Sequence, residues 1–155
     1  LSSSSAASDV YKRQVAMTGF SSGAPAGAGP IVITICITCR AAGADSGNAP
    51  GRELLAAVKA AGEGEADLLV RPTQCLGICK RVCTVSLSGT GKYTFLFGDL
   101  DPATDAPALV AMARACAAAE HGFVPWKERP PALRKGTIAR IPPPGWSPED
   151  GSAPA

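Results

Sequence analysis

The stretch IVITICITCR, residues 31–40, decides the reading of the fold. Its first seven residues are apolar and largely β-branched, the composition of a central strand buried on both faces. Cys36 and Cys39 stand at its end, with two residues between them. Working outward, residues 41–51 read as a loop by their Gly, Asp, Ser, Asn and Pro content. Residues 52–61 carry Leu54, Leu55 and Val58 at helical spacing and are followed by Gly62, which marks an amphipathic helix and its end. Residues 67–71 read as a second strand, stopped by Pro72. The dense segment CLGICKRVC, residues 75–83, follows. Residues 82–87 and 93–97 are strand-like runs separated by Ser-Gly-Thr-Gly, a hairpin signal. Residues 106–120 form an Ala-rich helix with Leu109, Met112 and Ala113 on one face, ended by Gly122.

The order is strand, helix, strand, cysteine loop, hairpin, helix. One βαβ crossover followed by a ββα unit is the order of a thioredoxin-like layer fold, so the expected class is α/β, a small mixed sheet with helices packed on it. The 155 residues suit one domain. Residues 1–30 read as a disordered leader, of which residues 1–14 (LSSSSAASDVYKRQ) look like translated adaptor or vector sequence, and Met17 is a plausible start. Residues 31–122 are the expected metal-binding domain. Residues 123–155 are Pro-rich and basic and read as an extended strap along the domain up to Pro144, then a fraying tail. The sequence shows no internal repeat.

The net charge of +2 is too small for the basic excess of a nucleic-acid binder. No apolar run is long enough to span a bilayer, and no basic region followed by an apolar stretch opens the chain, so a cytoplasmic location is expected. Six cysteines in a reducing compartment argue against a disulfide scaffold and for metal or redox chemistry, because five of them fall in two tight groups.

Two residues separate Cys36 from Cys39. Three separate Cys75 from Cys79, and three separate Cys79 from Cys83. Cysteines two or three residues apart on a tight loop can point both thiolates at one centre. A βαβ crossover that brings two such loops together supplies four sulfurs, the ligand count of a [2Fe–2S] cluster and equally of structural zinc. Gly77 lets the backbone curl between ligands, and Lys80 and Arg81 would offset thiolate charge. The competing reading, five inert core cysteines, suits one thiol better than two clusters. For Cys116, alone in the second long helix, core packing is the stronger reading.

These residues resemble a known pattern. Cys39, thirty-five residues, Cys75, three residues and Cys79 are similar to the thioredoxin-like [2Fe–2S] ferredoxins, including the flavoprotein-associated subunit of respiratory complex I. The stretch from residue 33 to 142 looks closer to an uncharacterised bacterial family of metal-binding proteins, viewed as ferredoxin-like and often encoded near cobalamin-biosynthesis genes. The match is carried by CITCR (36–40), GRELL (51–55), CLGICKRVCTVSL (75–87), KYTFLFGDLDP (92–102), GFVPWKERP (122–130) and RKGTIARIPP (134–143). The resemblance implies a thioredoxin-like fold and a metal or [2Fe–2S] site, with Cys39 as a first-loop ligand and Cys75 and Cys79 as the second-loop pair. The first pair is closer together than in those ferredoxins, and Cys83 is an additional thiol. Cys36 is the favoured fourth ligand. Strand alternation could instead turn Cys36 to the core and leave Cys83 in its place.

The expected function is electron transfer or metal binding without catalysis of substrate bonds. Its partner would be a redox protein or a cobalamin-pathway enzyme, and the chain could form a homodimer. Two alternatives stand beside it: a structural-zinc or metal-delivery module, and a thiol–disulfide oxidoreductase. The last needs its CxxC at a helix N-terminus, where the dipole lowers a thiol pKa. Here eleven residues, 41–51, intervene, and three further cysteines go unexplained. Trp126, Lys127, Arg129, Arg134, Lys135 and Arg140 form a basic aromatic tail. It reads more readily as a strap than as a docking surface for an acidic partner or an anionic tetrapyrrole precursor. His121 reads as a helix-end dipole partner ahead of a ligand in a Cys₃His site. Gly89 and Gly91 belong to no phosphate loop, since no GK[ST] follows.

Overall fold

In β1 (Ile31–Cys36), Ile31, Ile33 and Ile35 are almost wholly buried while Val32 and Thr34 are only half covered. That alternation is the signature of a strand packed on one face. The computed structural model describes residues 29–40, 49–146, 148 and 151–153. Expectations for the leader up to residue 28, for its first fourteen residues and for the loop at 41–48 lie outside the described residues. After β1 come α1 (Pro50–Ala61), β2 (Leu68–Thr73), β3 (Val85–Ser88), β4 (Thr94–Phe97) and α2 (Ala106–Ala118). A 3₁₀ turn (Trp126–Glu128), α3 (Pro131–Gly136) and β5 (Thr137–Ile141) complete the order.

The strands form one five-stranded sheet in the order β2-β1-β3-β4-β5. The β1/β2 pair is parallel and the other pairs are antiparallel. Register places Ile33 opposite Leu87 and Leu87 opposite Phe95, and Ile35 opposite Val85 and Val85 opposite Phe97. Directly opposed residues share a face, so these side chains form one continuous apolar surface. All of them are buried, together with Leu54 and Val58 of α1 and Leu109, Val110, Met112 and Ala113 of α2. The two helices also pack on each other. Each large side chain so removed from water contributes roughly 1.5–3 kcal/mol. The expectation that β1 is buried on both faces is corrected: α1 and α2 share one face, and Val32 and Thr34 look out from the other.

Several boundaries differ from the sequence reading, among them the start of α1 at Pro50 in place of residue 52, and three of them have a visible physical cause. Pro72 does not stop β2, which runs through it to Thr73. β2 is an edge strand, where a missing N–H costs no ladder bond on the open side. The third strand begins at Val85 and not at residue 82, because Cys83 adopts a left-handed φ of 51° that turns the chain. The second long helix ends at Ala118, where the buried Lys92 ammonium donates to the carbonyls of Ala117 (3.1 Å) and Ala119 (2.7 Å). Lys92 thereby satisfies carbonyls left open at the helix end. Gly122, at φ 67°, gives it room: a Cβ there would stand 2.6 Å from Lys92 Cβ.

The segment after residue 123 is more than an extended strap. It contributes α3 and the fifth strand, which pairs with β4 and places Arg140 opposite Phe95. Val124, Arg129 and Leu133 are buried. Arg129 Nε donates to Val124 O at 2.9 Å, and its guanidinium lies 4.8 Å above the Phe95 ring. The prolines cluster on either side of β5, so they bound the strand and do not interrupt it.

Candidate metal centre

Because β1 and β2 are parallel and in register, with Cys36 beside Thr73, both strands finish at the same end of the sheet. The chain segments that leave them run side by side. Ile37 N donates to Thr73 O at 2.9 Å, the Thr38 hydroxyl bonds Gln74 O, and the Cys36 thiol donates to Gln74 O at 3.5 Å. Cys36 and Cys75, far apart in sequence, thus come from adjoining turns.

Beyond Gln74 the chain curls at Gly77, whose φ of 79° is open to glycine at little cost. The turn directs Gly77 N–H at Cys75 Sγ (3.2 Å) and holds the Cys75 and Cys79 sulfurs 4.0 Å apart, both exposed. Two thiolates on one tetrahedral metal at about 2.3 Å stand about 3.8 Å from each other. This pair therefore has the spacing of one edge of such a site.

Cys36 and Cys39 are buried. Burial pushes the Cys36 thiol up, but hydrogen bonds from Cys39, from Thr38 and from the Leu76 backbone outweigh it and leave the group below its ordinary value. Cys39 is pushed up by burial and by sharing a proton with Cys36. Its thiol donates to Thr84 Oγ1 at 3.7 Å, and that hydroxyl donates onward to Arg81 O at 2.9 Å. Cys79 is pushed up by its hydrogen bond with Cys75 and by the charges of Cys75 and, more weakly, Cys36. Cys36 therefore interacts with both turns. Among the described residues, no three His, Cys, Asp or Glu side chains are gathered as a ready metal-binding group. Two of the donors, Cys75 and Cys79, are exposed and two, Cys36 and Cys39, are buried, and the buried sulfurs are turned to protein oxygens.

Cys83 is wholly buried in the core, and its thiol is pushed up to about 12 by burial, then by the charges of Cys39, Glu53, Asp101 and Cys36. Cys116 is buried in α2 among core side chains, and burial pushes it to about 12 against the opposing charges of Lys92 and Arg129. Arg81 forms an ion pair with Asp99, so its expected part in offsetting thiolate charge is largely taken up there. Lys80 is exposed beside Cys79. His121 lies at the opposite end of the sheet: its carbonyl accepts from Tyr93 N (2.7 Å) and its ring meets Trp146 at 4.7 Å. It is no partner for the cysteines.

Gly51, expected at the end of a loop, lies in the first turn of α1. A Cβ there would stand 2.0 Å from the carbonyl oxygen of Cys36. The first turn of α1 thus sits directly on the end of β1. Sequence separation does not keep the CxxC from a helix N-terminus, as the argument against an oxidoreductase supposed. Thr84, the partner of Cys39, carries no sequence signal, since its position follows from the turn at Cys83.

A mixed five-stranded sheet with helices, and cysteine turns where its parallel strands end, make this an α/β protein with a fold like that of a thioredoxin-like ferredoxin. The chain belongs to the family described as "Protein of unknown function (DUF1636)", whose profile matches residues 33–143. Among solved structures it is similar to a thioredoxin-like [2Fe–2S] ferredoxin from Aquifex aeolicus, with a TM-score of 0.51 and 18% identity over 77% of this chain and 99% of that one. A second structure, the wild-type thioredoxin-like [2Fe–2S] ferredoxin from Aquifex aeolicus, gives 0.47 and 16% over 72% and 99%. At these identities the likeness is one of fold. No curated protein matches the chain by sequence. Among the described residues, no helix is long and apolar enough to cross a membrane.

Proposed function

We propose that this chain is a ferredoxin-like metal-binding protein that carries a [2Fe–2S] cluster on Cys36, Cys39, Cys75 and Cys79 and serves as a one-electron carrier. The observation that supports it is the parallel register of β1 with β2, which sets two cysteine-bearing turns side by side. A bound cluster supplies a centre that accepts and releases one electron. The chain supplies the rest. The N–H of Gly77 is directed at Cys75 Sγ, and the Leu76 backbone hydrogen bond favours the Cys36 thiolate. The exposed Cys75–Cys79 turn is the face open to a partner, and the buried Cys36–Cys39 pair is shielded from water.

Cys36 is the better fourth ligand than Cys83. It takes bonds from both turns, whereas Cys83 is enclosed in the core and held in a turn. The expected partner is a redox protein or, on the family resemblance, a cobalamin-pathway enzyme. A cytoplasmic location and a homodimer belong to the same proposal. Structural zinc remains the second reading, because the 4.0 Å separation of Cys75 and Cys79 suits that ion equally.

Anaerobic purification with metal analysis and a visible spectrum tests the reading. A brown protein with iron and sulfide, bleached by dithionite, supports it. A colourless protein holding zinc replaces it with the second reading. A metal-free protein that reduces a test disulfide makes it a thiol oxidoreductase.

A further inference from the structure

All six cysteines of the chain are free, and four of them, Cys36, Cys39, Cys83 and Cys116, are buried. Burial keeps a bulky reagent from those thiols. Of the first two, Cys36 is also turned to Gln74 O and Cys39 to Thr84 Oγ1. Only Cys75 and Cys79 are exposed, and they are exposed together, with their sulfurs 4.0 Å apart. A disulfide between them needs the sulfurs at about 2.05 Å, a further approach of about 2 Å.

The turn that carries the pair is held at both ends and free in the middle. On one side Gln74 O accepts from the Thr38 hydroxyl and from the Cys36 thiol. On the other, Arg81 N donates to Ile78 O at 3.0 Å, and the Arg81 side chain is ion-paired with Asp99. Between these ends Gly77, at φ 79°, has open space around it: a Cβ there would meet nothing within 4 Å. Gly77 N–H donates to Cys75 Sγ at 3.2 Å and ties that sulfur to the turn. The flanking bonds keep the two thiols close, and the open centre lets the turn tighten. Groups held together in this way react as an intramolecular pair.

We propose that Cys75 and Cys79 are a redox modification site, which a low-molecular-weight disulfide such as glutathione disulfide closes into one intramolecular bond when no metal holds them. One protein thiol, as its thiolate, attacks a sulfur of the reagent, breaks its S–S bond and releases one glutathione thiol, leaving a mixed disulfide. The second protein thiol attacks the protein sulfur of that mixed disulfide, breaks its bond to glutathione and releases the other glutathione thiol. Two protein thiols give up two electrons and two protons, and the reagent takes them up as two glutathione thiols. The exchange runs once per chain and is reversed by a dithiol reductant. One consequence rests on the proposed metal reading: the bond withholds two of the four ligands, so the oxidised chain takes up metal only after reduction.

The test uses the full chain, stripped of metal by a chelator under dithiothreitol, desalted without air and incubated with glutathione disulfide. Its mass should fall by two hydrogens, and two of its six thiols should be lost to a thiol assay in denaturant. Peptide mapping should place the bond between Cys75 and Cys79. The same incubation in concentrated urea should spread the bonds over other cysteine pairs, since the folded turn is what selects this one. Cys79→Ser should stop at a glutathione adduct on Cys75. Zinc uptake, read by metal analysis, should fall at least tenfold in the oxidised chain and return after dithiothreitol treatment and desalting. A bond between Cys36 and Cys39 in place of Cys75 and Cys79, glutathione adducts that persist without closure in the wild-type chain, or the same pairings with and without urea overturns the proposal. A chain that forms the Cys75–Cys79 bond but takes up zinc equally in both states, or takes up neither zinc nor iron when reduced, upholds the modification and overturns the metal reading.

Discussion

The two ends of the sheet are assembled by different physics. At the cysteine end, main-chain geometry does the assembling: parallel register, a left-handed glycine and N–H groups aimed at sulfur bring thiols together from turns distant in sequence. At the hairpin end, side chains do it: rings pack edge-on, and buried cations sit on carbonyls and on ring faces. The first end therefore has an exposed sulfur pair, Cys75 and Cys79, beside a buried one, Cys36 and Cys39. The second has packing and charge but no sulfur near its surface. The lesson is that two thiols with the same chemistry, Cys79 and Cys116, are set apart by whether backbone or packing surrounds them. One is exposed on a turn, and the other is enclosed among apolar neighbours.

The strongest break of this comparison is at the ligands. On the proposed reading, Cys39→Ser, Cys75→Ser and Cys79→Ser should each abolish or greatly alter the visible spectrum and metal content of anaerobically prepared protein. Cys116→Ser should leave both intact. A full native spectrum from Cys79→Ser would remove the second turn from the site. Retention in Cys36→Ser with loss in Cys83→Ser would move the fourth ligand into the core.

Next in size is Gly51→Ala. The added Cβ meets a backbone carbonyl at 2.0 Å, which cannot yield without shifting α1 or the end of β1. Overpacking of this kind costs ~3 kcal/mol. Denaturant titration should show that loss, and metal content should fall with it because Cys36 shares the displaced backbone. Wild-type stability in this variant would show that α1 does not rest on the cysteine turn.

Lys92→Met probes the other end and should do less. It strips two α2 carbonyls of a buried donor while keeping the aliphatic volume, a cost of about 1–3 kcal/mol. The metal spectrum should not change. If Lys92→Met altered the spectrum as much as Gly51→Ala, the two ends would not be separable.

What could be read from the residues follows the same division. A continuous apolar run exposed β1, though not that only one of its faces is packed, and period-3.6 patterns exposed α1 and α2 because burial imposes them residue by residue, as with Leu54 and Val58 or Leu109 and Met112. The grouping of Cys75 with Cys79 was legible because it is local. Three things were not. Pro72 read as a stop because the edge position that tolerates it is a property of the whole sheet. The five residues of β5 were hidden by flanking prolines, though an unpaired β4 edge gave them a partner. The choice between Cys36 and Cys83 stayed open because alternation along a strand cannot foresee the left-handed turn at Cys83 that carries it into the core.

The smallest effect at neutral pH is at Cys116, and its signature is a titration at alkaline pH. Its thiol is pushed from 9.0 to about 12 in the folded chain, chiefly by burial. Between these values the unfolded chain gives up a proton that the folded chain keeps. The unfolded state then binds fewer protons, so this thiol makes stability fall as pH rises from about 9 toward 12, by up to ~1.4 kcal/mol per pH unit. Below pH 9 it contributes no slope. Cys116→Ala should lose about 1 kcal/mol of packing at neutral pH and then show a flatter decline above pH 9 than the parent chain. Equal alkaline slopes for the two proteins would mean that Cys116 ionises as readily folded as unfolded. The contrast between an enclosed thiol and an exposed one would then fail where it is sharpest.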